Sequence, residues 1–429
     1  MLFRDISILD ETFSVQEHMN VGIRGKRIAY LHTELPKEDF GEVYDGKNRL
    51  LLPAFVNLHS HLPMVYLRGY GDHLPLMEWL NTKIFPFEAK MTDDDMYYGT
   101  LAGIAEMLRF GIASTTEMYL SLRPLCRAFL DSGAKANVSR CVSCFDPAVS
   151  FADMPQHKEL KSCFAEFHGA EDDRIRVEAS IHSEYTTTEK TVRGIAETAK
   201  ELGTSLHVHV SETEGEVLGC RERHGKSPVE YLAACGVFDV PTTAAHCVWT
   251  DENDRNILRE KGVSVAANPK SNAKLASGVS PVADYLARGI NVGIGTDSVS
   301  SNNNLNMLEE MRFFNLLQKG ITREATVITP AETVYAATRA GALAQRRTDC
   351  GLIKEGFRAD LTVFDIDRVY MKPTHDLLHN LVYSAQGTDV VLTMADGTVL
   401  YRDGEYPTLD IERIFFEVEQ RKNRILSEL

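Results

Sequence analysis

The sequence predicts a (β/α)8 barrel of the TIM type, with a small β-sandwich domain formed from both termini. Three observations predict it. Apolar β-rich runs alternate with helical runs through the middle of the chain, the pattern of βα units on a parallel sheet. Eight such units occupy about 250 residues, the size of one barrel. Short alternating segments at the two ends match in character, as one β-domain interrupted by a large insertion would. The expected boundaries are 1–52 for the first part of the β-sandwich, 53–348 for the barrel, 349–408 for the second part and 409–429 for a C-terminal helix. An open doubly wound sheet is the alternative, but no G-x-G-x-x-G follows the first barrel strand.

In chain order, Asp5 to Leu9, Asn20 to Arg24 and Arg27 to Leu31 read as antiparallel strands, with Gly25-Lys26 as the turn between the last two. The eight barrel strands are Ala54 to His61, Ile112 to Tyr119, Lys135 to Val142, Ile175 to Ser183, Ser205 to Glu212, Thr243 to Trp249, Ser264 to Lys270 and Asn291 to Ser298. Helices lie between them, including Thr92 to Phe110, where Thr92 and Asp95 make a capping box, and Glu189 to Leu202. Past the barrel, Gly351 to Asp365 reads as β. Val390 to Ala395 and Thr398 to Tyr401 form a hairpin across Asp396-Gly397. Ile411, Ile414, Phe415, Val418, Ile425 and Leu426 fall at near-helical spacing and predict a packed amphipathic helix over Asp410 to Leu429.

Composition narrows the function classes. The 429 residues are 44% hydrophobic and 25% charged, too apolar for disorder. A formal charge of −15, with no Lys/Arg block, repels polyanions and argues against nucleic-acid binding. No apolar run reaches the roughly 18 residues a membrane span needs, and acids interrupt the start, MLFRDISILDETF, where a signal peptide would be apolar. A cytoplasmic protein is expected. The eight cysteines are scattered and expected to be reduced; Cys141 and Cys144 form a C-x-x-C with no second pair to complete a zinc site.

A barrel places its chemistry where its strands end. Strand one ends His59-Ser60-His61, and period-two alternation turns both imidazoles to one face, able to reach one metal ion. That pattern alone is weak, and a second one, His207-Val208-His209, occurs on strand five. Strand six carries His246 and strand eight ends Gly295-Thr296-Asp297. Four histidines and an aspartate thus converge on strand ends, a set that suits one divalent ion, zinc or iron, activating a water. Glu212, three residues past His209 where strand gives way to loop, is the candidate general acid/base. The alternative for Glu212 is a solvated loop acid beside Glu214 and Glu216.

The stretches LPAFVNLHSHLPM, HVSETEGE, AAHCVW, NPKSNAKLASGVSPV and GTDSVSSNNNLNMLEEM resemble the amidohydrolase superfamily, in its branch of methylthioadenosine/S-adenosylhomocysteine deaminases, over nearly the whole chain. The resemblance implies one divalent metal, zinc first, held by His59, His61, His209 and Asp297, with His246 hydrogen-bonded to its water. Strand four, IRVEASIHS, lacks the Lys of binuclear relatives, which favours a single ion. The implied reaction is hydrolytic deamination of an adenine nucleoside. The activated water attacks C6 while Glu212 protonates N1, and Asp297 passes the water's proton to the departing ammonia. Glu88 matches the family acid that accepts ribose hydroxyls, and His182 a His beside the ribose. Arg140 matches one of two arginines that grip the homocysteine carboxylate; the other is missing, since 145–159 contains no Arg. Arg140 is therefore a substrate ligand or a barrel-rim ion pair, and adenosine, 5′-deoxyadenosine, methylthioadenosine and S-adenosylhomocysteine stay open as substrates. The alternative on the same scaffold is a deaminase of a free base or another heterocycle, such as guanine, cytosine or a triazine. The family also implies a homo-oligomer.

Overall fold

The computed structural model describes residues 1–71, 74 and 76–429. Strands β1 (Leu2–Leu9), β2 (Val15–Arg24), β3 (Arg27–His32), β4 (Val43–Asp45) and β5 (Arg49–Pro53) precede the barrel. The barrel strands are β6 (Phe55–Ser60), β7 (Ile112–Tyr119), β8 (Lys135–Arg140), β9 (Ile175–Ile181), β10 (Leu206–Val210), β11 (Thr242–His246), β12 (Ser264–Ala267) and β13 (Val292–Ile294). After them come β14 (Leu361–Asp365), β15 (Val390–Ala395) and β16 (Thr398–Arg402).

The barrel strands pair in parallel and in sequence order from β6 to β13. Every residue of β6, β7, β10 and β11 is buried, as expected for a parallel sheet covered by helices. The last strand meets the first through a bridge between Ser60 and Asp297, where the Asp297 N–H donates to the His59 carbonyl at 2.9 Å. Asn57 completes the seam: its Nδ2 donates to Thr296 Oγ1 at 2.8 Å and its Oδ1 accepts the Thr296 N–H at 2.9 Å. That closure excludes the open doubly wound sheet. It also places two sequence-distant strand ends side by side.

The strands of both chain ends form one sheet, in the order β16-β15-β14-β5-β1-β2-β3, with β4 beside β1. β5 and β14 join the ends, antiparallel, with Leu361 opposite Pro53. The hairpin of β15 and β16 turns on Asp396 and Gly397, both at positive φ (47° and 73°), as a type I′ turn requires. A Cβ on Gly397 would lie 2.1 Å from the Gly25 carbonyl, so this turn needs glycine to sit against the β2–β3 turn. Phe3, Ile6, Leu51, Leu361 and Leu392 fill the core of the sheet.

Several elements differ from the expectation. Only Leu361–Asp365 of the Gly351 to Asp365 stretch is strand, because Gly351 and Gly356 turn the chain at positive φ (80° and 84°) before it can extend. Strand seven stops at Ala267, since Pro269 opens a helix, Pro269–Lys274, where a strand had been expected to Lys270. The helix Asp93–Arg109 begins with the expected Thr92–Asp95 capping box. The C-terminal helix spans Ile411–Ser427, but Phe415 is 58% and Leu426 41% exposed. Those two residues follow the buried Ile414 and Ile425, and a 100° step per residue rotates them off the packed stripe. All eight cysteines are free; Cys144 Sγ points to the Asp146 carbonyl, so Cys141 and Cys144 form no disulfide.

Candidate metal and acid–base site

The residues singled out at strand ends meet at one end of the barrel. His59 lies on β6, His61 one residue beyond it, His209 on β10 and His246 at the last residue of β11. His59, His61 and Asp297 offer ligand atoms within 4.8 Å of one another, as do His59, His209 and His246. Asp297 Oδ1 lies 3.4 Å from His61 Nε2 and 3.6 Å from His59 Nε2.

The outer atom of each ring is already committed. His61 Nδ1 donates to the Met118 carbonyl at 2.6 Å and His209 Nδ1 to the His182 carbonyl at 2.7 Å. His59 Nδ1 bonds His207 Nε2 at 2.9 Å. In the neutral rings this leaves bare Nε2 lone pairs facing inward: His61 and His209 oppose each other at 3.3 Å, and the fully buried His59 Nε2 has no hydrogen-bond partner among the described residues. Burial, followed by the neighbouring imidazoles, holds His59 and His209 well below the ordinary histidine range. Neutral imidazoles with inward lone pairs beside a carboxylate repel one another unless a cation sits among them, so these residues fit a divalent ion. Asp297 is held by its own shell: Ser271 Oγ and Ser301 Oγ donate to Oδ2 at 2.5 and 3.0 Å, and the Ser298 N–H donates to Oδ1 at 2.7 Å.

Three turns aim the remaining groups. Ser211, His246 with Cys247, and Asp297 all adopt left-handed backbone (φ 51°, 71°, 46° and 59°), a conformation uncommon for non-glycine residues. Because β10 ends at Val210 and kinks at Ser211, Glu212 leaves the strand's alternation and turns inward. It is 8% exposed, not a solvated loop acid, with Oε2 at 3.9 Å from His246 Nε2. Burial raises the Glu212 pKa above its ordinary value, against the pull of His246 and with Asp297 adding to the rise. His246 Nδ1 donates to Asn272 Oδ1 at 2.8 Å, presenting Nε2 to the centre. Burial disfavours the His246 cation, but Glu212, Asp297 and Asn272 outweigh it and raise its pKa.

Of the other expected residues, Glu88 ends the short helix Phe85–Glu88 and is half-buried, its carboxyl pushed up to about 7 by burial despite a hydrogen bond from Tyr119 at the end of β7. His182 follows β9, its ring 5.0 Å from that of His209 and its Nδ1 3.0 Å from Thr186 Oγ1. Burial lowers the His182 pKa to about 4. Arg140 ends β8 and is paired with Glu159. Glu159 also accepts the Leu122 N–H at 2.7 Å.

The sequence analysis noted His207 in the second H-x-H without giving it a role, and passed over Asn57, Asn272, Ser271 and Ser301. A signal existed for His207 alone, two residues before His209 on the same strand face; the rest act through contacts across the fold.

The chain is similar to known proteins over most of its length. A 5-methylthioadenosine/S-adenosylhomocysteine deaminase of Dictyoglomus thermophilum is 39% identical over 422 residues, covering 98% of both chains. A 5′-deoxyadenosine deaminase of Methanothermobacter thermautotrophicus is 41% identical over 392 residues, 91% of each chain. An adenosine deaminase from Xanthomonas campestris, solved with bound zinc, superposes with a TM-score of 0.92 at 30% identity, covering 99% of this chain and 98% of that one. The amidohydrolase family model matches residues 50–400. The chain belongs to the amidohydrolase family.

Proposed function

We propose that this protein is a metal-dependent hydrolase that deaminates adenine nucleosides, releasing ammonia and an inosine-type product. The observation that carries the reading is the buried Glu212 facing His246 and Asp297 across a cluster of inward imidazole lone pairs. His59, His61, His209 and Asp297 would hold the ion, zinc as in the Xanthomonas campestris neighbour. When bound, a divalent ion lowers the pKa of a coordinated water toward about 7 and so supplies a nucleophile at neutral pH.

The chain's own groups handle the protons. Glu212, its pKa raised by burial, delivers a proton to ring N1 and makes C6 electrophilic. Asp297 Oδ1 takes a proton from the attacking water and returns it to the leaving amine. His246 Nε2, oriented through Asn272, stabilises the charge that develops beside it. Glu88 is the acceptor for ribose hydroxyls, and His182, neutral at its lowered pKa, lies alongside the ribose.

The 5′ substituent is best read as uncharged. Arg140 is spent on Glu159, so a substrate carboxylate would have to displace a satisfied partner. The reading therefore ranks 5′-deoxyadenosine, adenosine and methylthioadenosine above S-adenosylhomocysteine.

A substrate panel followed by loss of adenine absorbance and by ammonia release tests this. Turnover of the three neutral nucleosides, its loss on chelation and return with zinc, and a drop of about 10²-fold or more in kcat for Glu212→Gln are expected. Ammonia release from guanine or cytosine with none from a nucleoside would replace this reading with a free-base deaminase.

A further inference from the structure

The helix Glu214–His224 carries in its first turn a buried carboxylate that the mechanism leaves unused, Glu216, 7% exposed. Thr213 caps that helix, its side chain accepting the Glu216 N–H at 3.2 Å. In an ordinary capping box the Glu216 carboxylate would return to the Thr213 N–H. It bypasses Thr213 instead: Oε1 accepts the Ser211 N–H at 2.8 Å and Oε2 the Glu212 N–H at 2.7 Å. Two successive N–H groups converge on one carboxylate only because Ser211 is left-handed (φ 51°).

The same turn reaches the second proton-handling group. The Ser211 carbonyl accepts the N–H of Val248 at 3.0 Å and of Trp249 at 2.9 Å, directly beyond the left-handed His246–Cys247 pair. Cys247 N–H donates to the Val210 carbonyl at 2.9 Å. One side chain thus clamps the turn that aims Glu212, and that turn clamps the loop behind His246.

We propose that Glu216 is the positioning residue of the Glu212–His246 pair, locking Ser211 left-handed so that the Glu212 carboxyl faces the histidine cluster. The proposal rests on the reading of Glu212 as proton donor.

Glu216→Gln keeps the side-chain size but turns an amide NH2 toward one of the two N–H groups. A misplacement of about 1 Å can cost 10²-fold, so kcat on the best nucleoside should fall about 10- to 100-fold, with KM within about threefold and bound metal per chain unchanged. Amide hydrogen exchange should accelerate in peptides spanning 206–220 and 246–252 and nowhere else in the barrel. Adding Ser211→Gly, which takes positive φ without a Cβ clash, should recover at least about fivefold of the lost kcat. Thr213→Ala, which removes the cap of the same helix, should leave kcat within about twofold. Equal losses in Thr213→Ala and Glu216→Gln would reduce Glu216 to a helix stabiliser and overturn the proposal. So would unchanged exchange at 206–220 and 246–252, or no recovery in the double variant. If Glu216→Gln alone does not fold, a folded and active double variant supports the proposal and an unfolded one overturns it. A wild-type chain inactive on every nucleoside defeats the functional reading, while the exchange comparison still decides the role of Glu216.

Discussion

At the scale of the residue, burial sets which proton each acid can hold. Glu88 has an ordinary carboxyl pushed up to about 7, so it is ionised above that pH and neutral below it. Accepting ribose hydroxyls is work for the ionised form, because a charge-assisted hydrogen bond is roughly twice as strong as a neutral one. The sign follows: as pH falls through about 7, KM for adenosine should rise, while kcat follows Glu212 and the metal site. Steady-state measurements from about pH 5.5 to 8.5 check this against the titration range. Glu88→Gln should show a raised KM with no such rise; a wild-type KM that stays flat would remove Glu88 from the ribose site. Glu212 illustrates the same principle in the opposite role, since burial raises its pKa and so favours the proton-carrying form a donor needs.

At the scale of the element, the strands end in conformations that local propensity disfavours. Hydrogen bonds from elsewhere in the barrel reach the left-handed residues Ser211, Cys247 and Asp297, and the Ser211 turn takes Glu212 out of the strand's alternation. Asn57 does similar work at the seam between β13 and β6. Asn57→Ala would remove both bonds to Thr296 and leave its buried N–H unpaired, at a cost of about 1–3 kcal/mol. Because Thr296 precedes Asp297, the variant should also lose bound metal faster during dialysis. Denaturant unfolding and metal content per chain measure the two effects. Thr296→Val, which keeps the backbone bond to Asn57, should lose less stability.

At the scale of the whole molecule, the barrel and the terminal sheet are tied by Lys135, at the start of β8 and 2% exposed. Its ammonium lies 2.7 Å from Asp360, just before β14, and 2.6 Å from Asp396, in the turn between β15 and β16. Burial works against the cation, but the two carboxylates outweigh it and hold the Lys135 pKa up, while Asp360 is held below its ordinary value. Lys135→Met would leave the buried Asp360 carboxylate without its cation and Asp396 with Arg358 alone, destabilising the fold by about 3–5 kcal/mol. Without the ammonium, burial would raise the folded Asp360 pKa above its unfolded value, so the loss should be largest near neutral pH and shrink as the pH is lowered toward 5 and Asp360 takes up a proton. Urea unfolding at both pH values checks the size and the sign.

Much of this was legible in the chain. Strand β7 and the helix Glu189–Leu202 lie where periodicity places them, as do the Thr92–Asp95 box and the Asp396-Gly397 hairpin, because each depends on residues a few positions apart. The exposure of Phe415 and the helix beginning at Pro269 were not, since a packing partner decides the first and the onset of a loop helix the second. The sequence by itself determined which strand ends carry imidazole and carboxylate, and at what spacing, because alternation along a strand is local. Only the tertiary structure decided that His59 leans on His207, 148 residues away, that Asn57 stitches Thr296 across 239, and that Glu216 reaches back to aim its neighbour. Those choices belong to barrel closure and to backbone turns, where the free energy comes from groups that meet only once the chain has folded.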